Sequence, residues 1–393
     1  MKILYHHRTQ GRGAEGNHIV SIVTALRALG HQVDVLSPPG VDPFDPKASV
    51  PVDKAKTQTS GWSSLWKVAS KHLPNFLFEI AEVGYNIPSY FKVRKAIRGG
   101  GYDLVFERYA FFLLSGAMAA KTEGCNFLLE VNEVSDIPGR ARKQTFRALC
   151  RWFERRLFAR CDVIHAVSSY LGDRVMKQGV PAAKVVVAPN GFDVGRLKLT
   201  RSREEMRHKM GFDASTLVIG FAGWFDHWDR LDLLVDVFAE LQRKYPHVRL
   251  CLIGDGPGAR EAKQKAADLG VSEKVLLTGA VPRTEVYDYL QMLDIGVLPH
   301  SNVFGSPIVM FEMMALGIPL AVPRLAPILD VHVDQSSALS FEPLAKDQLR
   351  DCIGTLLADH ALRTALARAA REKLTREHTW VCTAERILGT LAA

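Results

Sequence analysis

The chain has 393 residues, 47% hydrophobic and 23% charged, which excludes a disordered protein and leaves room for two domains with full cores. Its net charge of +8 is one-sided, because residues 1–195 carry 26 Lys and Arg against 17 Asp and Glu, whereas 196–393 carry 24 against 25. The first half is therefore the half expected to meet something acidic.

The first strand, 3–5, runs straight into His6-His7-Arg8, with no apolar leader core. A glycine-rich stretch, Gly11-Arg12-Gly13-Ala14-Glu15-Gly16, precedes a helix at 18–29 and a strand at 33–36. Its spacing is neither a dinucleotide fingerprint nor a P-loop, so it reads either as a plain tight turn or as backbone that approaches an anion at a helix start. Residues 38–60 read as an irregular loop. Residues 63–97, with flanking Trp62, mix Trp66, Phe76, Phe78, Tyr85 and Phe91 with Lys67, Lys71, Lys92 and Lys95, an insertion that fits an acceptor groove, a membrane contact or ordinary aromatic packing. Further strands are expected at 104–107, 127–131, 163–167 and 185–188. The run 109–120 is apolar but too short to span a bilayer.

Residues 138–160 are densely basic: Arg140, Arg142, Lys143, Arg147, Arg151, Arg155, Arg156 and Arg160 alternate with aromatic and aliphatic residues. Helical spacing puts Arg147, Arg151 and Arg155 on one face, which suits either an anionic membrane or plain solvation. No nucleic-acid motif accompanies the charge, so nucleic acid is not the expected partner.

After a polar stretch at 196–210 a second series follows. It has strands at 218–222, 249–253, 275–277, 295–298 and 320–322, with helices at 232–243, 259–269, 284–292 and 307–316. Strands alternating with helices in this way predict parallel βαβ units and an α/β class of two doubly wound, Rossmann-like domains. Domain boundaries are expected at 1–195 and 196–374, with 375–393 returning to the first domain. Pro189-Asn190-Gly191-Phe192-Asp193 reads as the linker, where Asn-Gly permits a left-handed turn. The six cysteines are scattered, with no C-x-x-C pair, as in a reduced cytoplasmic protein. Metal-ligand spacings are missing, so no metal is expected.

Within 304–319, Glu312 is the one carboxylate among Met310, Phe311, Met313, Met314 and Leu316. Ser306 is the expected N-cap and Pro307 the first helical residue, so a capping partner belongs at Val309 and Glu312 is not it. An ionised group there needs hydrogen bonds. Sugar hydroxyls supply them in one reading; a solvent-facing position or a structural Arg accounts for the charge in the other.

In order along the chain, Gly13 with Glu15, Gly30-His31, Pro189 to Asp193, Gly254-Asp255-Gly256-Pro257, Gly279, Pro299, Phe304-Gly305 through Glu312, Met314-Ala315 and His378-Thr379-Trp380 resemble glycosyltransferase family 4. The resemblance spans nearly the whole chain and implies a GT-B fold. Two Rossmann-like domains would face each other across a cleft, with a C-terminal helix crossing back to the first.

It also implies a retaining, metal-independent hexosyltransferase in surface polysaccharide or glycolipid assembly. Its UDP- or GDP-linked sugar would bind the second domain, and a glycan or polyprenyl-pyrophosphate-linked acceptor the first. No cofactor is implied. The expected location is cytoplasmic, with peripheral contact at an anionic inner membrane face.

Carried over residue by residue, the donor set is Gly13, Glu15, Gly223, Arg230, Gly254, Asp255, Gly256, Gly305, Ser306, Pro307, Ile308 and Glu312. Glu312 takes the ribose role of the second Glu in the family's E-x7-E pattern. The catalytic set is Glu130, Asn132 and Glu133. Three departures stand out. Phe304 occupies the place of the first Glu, for which backbone at Gly305 and Ser306 is the expected substitute. Gly223 to Arg230 lacks the usual Arg and Lys for the diphosphate, leaving Arg230, His227, Arg260 or the Gly305–Pro307 helix start. Asn132 stands where relatives commonly have His. These losses keep open a non-catalytic nucleotide-sugar or glycan binder, and a nucleotide-sugar epimerase is a third reading.

Overall fold

A computed structural model describes residues 1–11, 13–45, 74–137 and 144–392. Arg12, Trp62, Trp66, Lys67, Lys71 and the basic positions Arg140, Arg142 and Lys143 lie outside them, as does most of the expected 38–60 loop. The chain divides into two compact units, Met1–Ala188 with Thr383–Ala393, and Pro189–Cys382.

Unit 1 is built on six parallel strands, β1 (Lys2–His6), β2 (Gln32–Leu36), β3 (Leu104–Arg108), β4 (Asn126–Val131), β5 (Val163–Ala166) and β6 (Val185–Val187). Their order is β2-β1-β3-β4-β5-β6. The helices are α1 (Gly13–Ala28), α2 (Asn75–Gly84), α3 (Asn86–Gly100), α4 (Ser115–Glu123), α5 (Arg147–Phe158) and α6 (Ser169–Met176). Strands buried on both faces read as unbroken apolar runs, and β3 is buried over its full length, including Glu107 and Arg108 at its carboxyl end. The strand order reverses beside β1, so the loops after β1 and β3 flank the switch point, where α/β sheets place ligands.

Unit 2 repeats the plan with β7 (Leu217–Trp224), β8 (Val248–Asp255), β9 (Val275–Leu277), β10 (Ile295–Val297), β11 (Leu320–Pro323) and β12 (Leu339–Phe341) in the order β12-β11-β10-β7-β8-β9. Its helices are α7 (Arg203–Lys209), α8 (Leu231–Lys244), α9 (Gly258–Asp268), α10 (Val286–Leu290), α11 (Ile308–Ala315), α12 (Ala326–Leu329), α13 (Lys346–Ala358) and α14 (His360–Glu377). The last helix, α15 (Trp380–Ala392), begins where unit 2 ends. Alternation along the strands divides the core between two layers. Ile219, Phe221, Leu250 and Leu252 pack with α8, while Val218, Ala222, Cys251 and Ile253 pack with α11.

Several expectations change. The 196–210 stretch contains α7, started by a capping box between Ser202 and Glu205. The 284–292 helix shrinks to α10 because Glu285 N–H bonds the Pro282 carbonyl at 2.9 Å and closes a turn first. The Asn190-Gly191 pair makes no left-handed turn, since neither residue has positive φ. Gly191 is required for space instead, as a Cβ there would lie 2.7 Å from the Trp380 nitrogen. All six cysteines are free.

Candidate functional site

In unit 1 the switch point is lined with buried charge. His6 and Glu107, at the ends of β1 and β3, pair through Nδ1 and Oε2 at 2.5 Å. Glu130, near the end of β4, is fully buried, and its Oε1 meets Arg108 Nη1 at 2.5 Å, Asn132 Nδ2 at 2.5 Å and His18 Nε2 at 3.0 Å. The Tyr5 hydroxyl donates to Oε2 at 3.3 Å. Burial alone would push the Glu130 carboxyl up, but the positive charges of His18 and Arg108 outweigh it and hold the group well below the usual carboxylate range. Burial pushes His7 and His165 down to about 4, so both are neutral at neutral pH.

Glu130, expected in the catalytic set, is the buried member of it. Enclosed and crowded by donors, it holds Arg108 and Asn132 in place. Asn132 and Glu133 are partly exposed and are the members of that set with access to solvent. The glycine stretch is less of a loop than expected, because α1 begins at Gly13, which takes φ 60°. Gly16 lies inside the helix because a Cβ there would sit 2.3 Å from the Gly11 carbonyl oxygen. Glu15 is exposed in the first turn, where a carboxylate favours the helix dipole.

In unit 2 the order reverses between β7 and β10. The loops after those strands are tied by His300 Nδ1 and the Trp228 carbonyl at 2.9 Å. Gly223 and Gly254 sit opposite each other at the ends of β7 and β8, and a Cβ on Gly254 would lie 2.0 Å from the Gly223 oxygen. Phe225, fully buried, plugs the loop after β7. Its N–H bonds the Asp255 carbonyl and its carbonyl accepts from Gly258 N–H, both at 2.9 Å. Gly256 closes this arrangement, as a Cβ there would meet the Phe225 nitrogen at 2.6 Å. The three glycines let two loop backbones approach, and Asp255 is left exposed at the rim.

Asp229, in the same loop, is buried, and burial pushes its carboxyl up to about 7. A folded-state value above the unfolded value of about 3.9 means that stability falls as pH rises from about 4 to about 7. Asp229→Asn is therefore expected to raise the melting temperature at pH 8 and to change it little at pH 4. Parallel melting curves for the two proteins across that range would remove the assignment.

Arg230 is not a free cation. It adopts φ 51° at the start of α8 and its guanidinium grips Asp232 through two bonds of 2.8 Å. The expected backbone substitute at Gly305 and Ser306 is also engaged. Gly305 N–H donates to Asn302 Oδ1 at 2.5 Å, and the Ser306 carbonyl accepts from Asn190 Nδ2 at 2.7 Å. Ser306 is not an N-cap. α11 starts after Pro307 without a side-chain cap, while the Ser306 hydroxyl accepts from Asn190 N–H at 3.2 Å.

Glu312 is buried with the rest of α11 from Met310 to Ala315, and Arg283 is its partner. The structural-Arg reading thus has a concrete form. Burial pushes the Glu312 carboxyl up, and the Arg283 charge opposes that rise. Arg283 also donates to the Tyr287 hydroxyl at 3.2 Å and lies over its ring at 5.4 Å, and about a third of its side chain stays exposed. Sequence reading missed Arg283 and Asn190 as partners because their bonds join positions 29 and 116 residues apart, and it missed Asn302, whose bond to Gly305 spans only three residues. Arg108 had a signal, a charged pair ending an apolar strand.

Two family models match in tandem. The model described as Glycosyltransferase Family 4 covers residues 15–196, and the one described as Glycosyl transferases group 1 covers residues 202–373. The chain belongs to glycosyltransferase family 4. Among family relatives, a GDP-mannose-dependent alpha-(1-6)-phosphatidylinositol monomannoside mannosyltransferase of Mycolicibacterium smegmatis is 27% identical over 55% of this chain and 58% of its own length. The chain thus covers less than two thirds of that mannosyltransferase. A 2-deoxystreptamine glucosyltransferase of Streptomyces kanamyceticus is 24% identical over 67% of this chain and 70% of its own. Anabaena HepE in complex with UDP superposes over the full length of both chains with a TM-score of 0.73 at 18% identity. A glycosyltransferase of Rickettsia africae gives 0.74 at 14% identity, covering 99% of this chain and 97% of its own. Such distant likenesses establish the GT-B fold of this family 4 chain.

Proposed function

We propose that the chain transfers a hexose, with retention at the anomeric carbon and without a metal, from a UDP- or GDP-sugar to a glycan or lipid-linked acceptor in surface polysaccharide or glycolipid assembly. The observation that carries this reading is the unit 2 switch point. There Gly223, Gly254 and Gly256 open the backbone at the strand ends, and the buried carboxylate Glu312 lies on α11, the helix that follows β10. The names of the relatives support a nucleotide-sugar donor, and one neighbour was crystallised with UDP.

In this reading the donor's departing diphosphate oxygen accepts the acceptor hydroxyl's proton as the new glycosidic bond forms. The chain's work is then to position both substrates and to stabilise the leaving group's charge. Asn132 and Glu133 orient the sugar or acceptor, Arg108 and Glu130 fix Asn132, and Glu312 holds the ribose.

Peripheral contact with an anionic membrane is supported by α5, where Phe146, Leu149 and Trp152 are exposed beside Arg147, Arg151, Arg155 and Arg156. No helix among the described residues is long and apolar enough to cross a membrane.

The test is a thermal-shift screen with UDP, GDP, ADP and their sugars, followed by mass-spectrometric donor turnover with acceptor lipids in the presence and absence of EDTA. One nucleotide is expected to raise the melting temperature, by an amount equivalent to about 2.7 kcal/mol at one hundred times its dissociation constant. Transfer is expected to survive EDTA. Binding without turnover or transfer favours the non-catalytic reading, to which the engaged Arg230 and the Phe304 substitution also point.

A further inference from the structure

The basic face of α5 carries chemistry that the nucleotide-sugar reading does not use. Between α5, α6 and the turn after β4 lies a cavity of about 330 Å3, into which Arg151, Arg155, Arg174 and Lys177 converge opposite one lining carboxylate, Asp136. Arg151 meets Asp136 at 3.4 Å, with 49% and 39% of the two side chains exposed, a loose pair. Arg174 is held by Tyr170, donating to its hydroxyl at 3.1 Å and lying over its ring at 5.4 Å, and neither contact neutralises the guanidinium. Among the described residues, Arg155 and Lys177 have no ion-pair partner.

The wall of this cavity is built rather than incidental. Glu154 is buried beneath it, and four donors satisfy its carboxylate: Tyr109 Oη at 2.6 Å, Ser135 N–H at 2.6 Å, Ser135 Oγ at 2.5 Å and Gln178 Nε2 at 2.9 Å. Those bonds fix Ser135 and Gln178, two further residues of the lining. Counting Glu154 as well as Asp136, the cations still outnumber the carboxylates.

Like charges gathered in one concavity repel one another, and a multivalent anion relieves that repulsion. We propose that this pocket binds a phosphate or diphosphate group. Guanidinium forks match phosphate oxygens two at a time, and the lysine adds a point charge. The volume falls in the range of small-molecule sites, so the pocket accommodates the phosphate together with the polar group that bears it. The phosphate comes either from a lipid headgroup or from a soluble compound.

Titration calorimetry with sodium pyrophosphate and sedimentation with phosphatidylcholine vesicles, with and without phosphatidic acid, test the pocket on the full chain. Arg155→Gln with Lys177→Gln is expected to weaken pyrophosphate binding by at least about ten-fold. A charge-matched double variant on exposed positions of unit 2, Arg243→Gln with Lys263→Gln, is expected to leave it unchanged. Lys177→Gln alone, at an exposed position, gives an intermediate loss and serves if the double variant melts early. Pyrophosphate that displaces the protein from phosphatidic acid vesicles identifies a lipid source; pyrophosphate binding with no preference for those vesicles identifies a soluble one. Failure of both probes to bind, or an equal loss in the charge-matched control, overturns the proposal. Nucleotide-induced thermal shifts in the pocket variant stay at the wild-type value, so failure here is distinguishable from failure of the transferase reading.

Discussion

Glu130→Ala is expected to cost unit 1 about 3–5 kcal/mol of stability, the price of leaving a buried charge unpaired. Arg108 is 9% exposed and its guanidinium depends on Glu130, as do the orientations of Asn132, His18 and Tyr5. Glu130→Gln keeps the shape and part of the hydrogen bonding, so its loss is smaller. Adding Arg108→Met to Glu130→Ala should recover part of the stability, because the guanidinium left without its carboxylate is then gone. Urea unfolding followed by a unit 1 signal checks this, with the two units allowed separate transitions. The folded-state carboxyl is depressed, so its contribution is present above the ordinary carboxylate value of about 4.3 and fades as pH falls toward the folded value. The acid limb of the wild-type stability profile should therefore be steeper than that of Glu130→Ala. A double variant no more stable than the single one would show that Arg108 and Glu130 are not a coupled buried pair.

The fold was legible because its signal is local and repeated. Strands such as 104–108 announce themselves as apolar runs, and the helical period of 231–244 places Leu234, Val237, Phe238 and Leu241 on one buried face. The site was legible only as far as residue type goes. Glu312 stood out against its apolar neighbours, but its partner Arg283 lies 29 residues earlier, with α10 and β10 between them, and no periodicity links the two. Ser306 looked like a cap because Ser before Pro is a strong local pattern, yet a tertiary partner, Asn190, 116 residues away, engages both its hydroxyl and its carbonyl. Arg230 looked like a candidate cation until Asp232, two residues on, was seen to hold it. Charge balance and hydrogen-bond saturation at the strand ends depend on which loops meet, and sequence order does not state that.

Glu312→Ala is expected to separate binding from stability. Arg283 is about one-third exposed, so its charge relaxes into solvent when the carboxylate is removed, and the stability cost stays below that of Glu130→Ala. If Glu312 accepts a bond from a ribose hydroxyl, that charge-assisted bond is worth about 1.5–3 kcal/mol, and losing it lowers nucleotide affinity by about ten- to 150-fold. A pH series adds a second readout. Burial already pushes the Glu312 carboxyl up while Arg283 restrains it. Arg283→Met removes the restraint, so the carboxyl takes up its proton at higher pH and nucleotide affinity should begin to fall at higher pH than in the wild type. Thermal shifts with UDP and GDP between pH 5 and pH 8, on wild type and both variants, measure all of this on the approximate scale of ligand linkage. An undiminished shift in Glu312→Ala leaves the carboxylate as the structural partner of Arg283 and moves ribose recognition to backbone around Gly254 and Gly305.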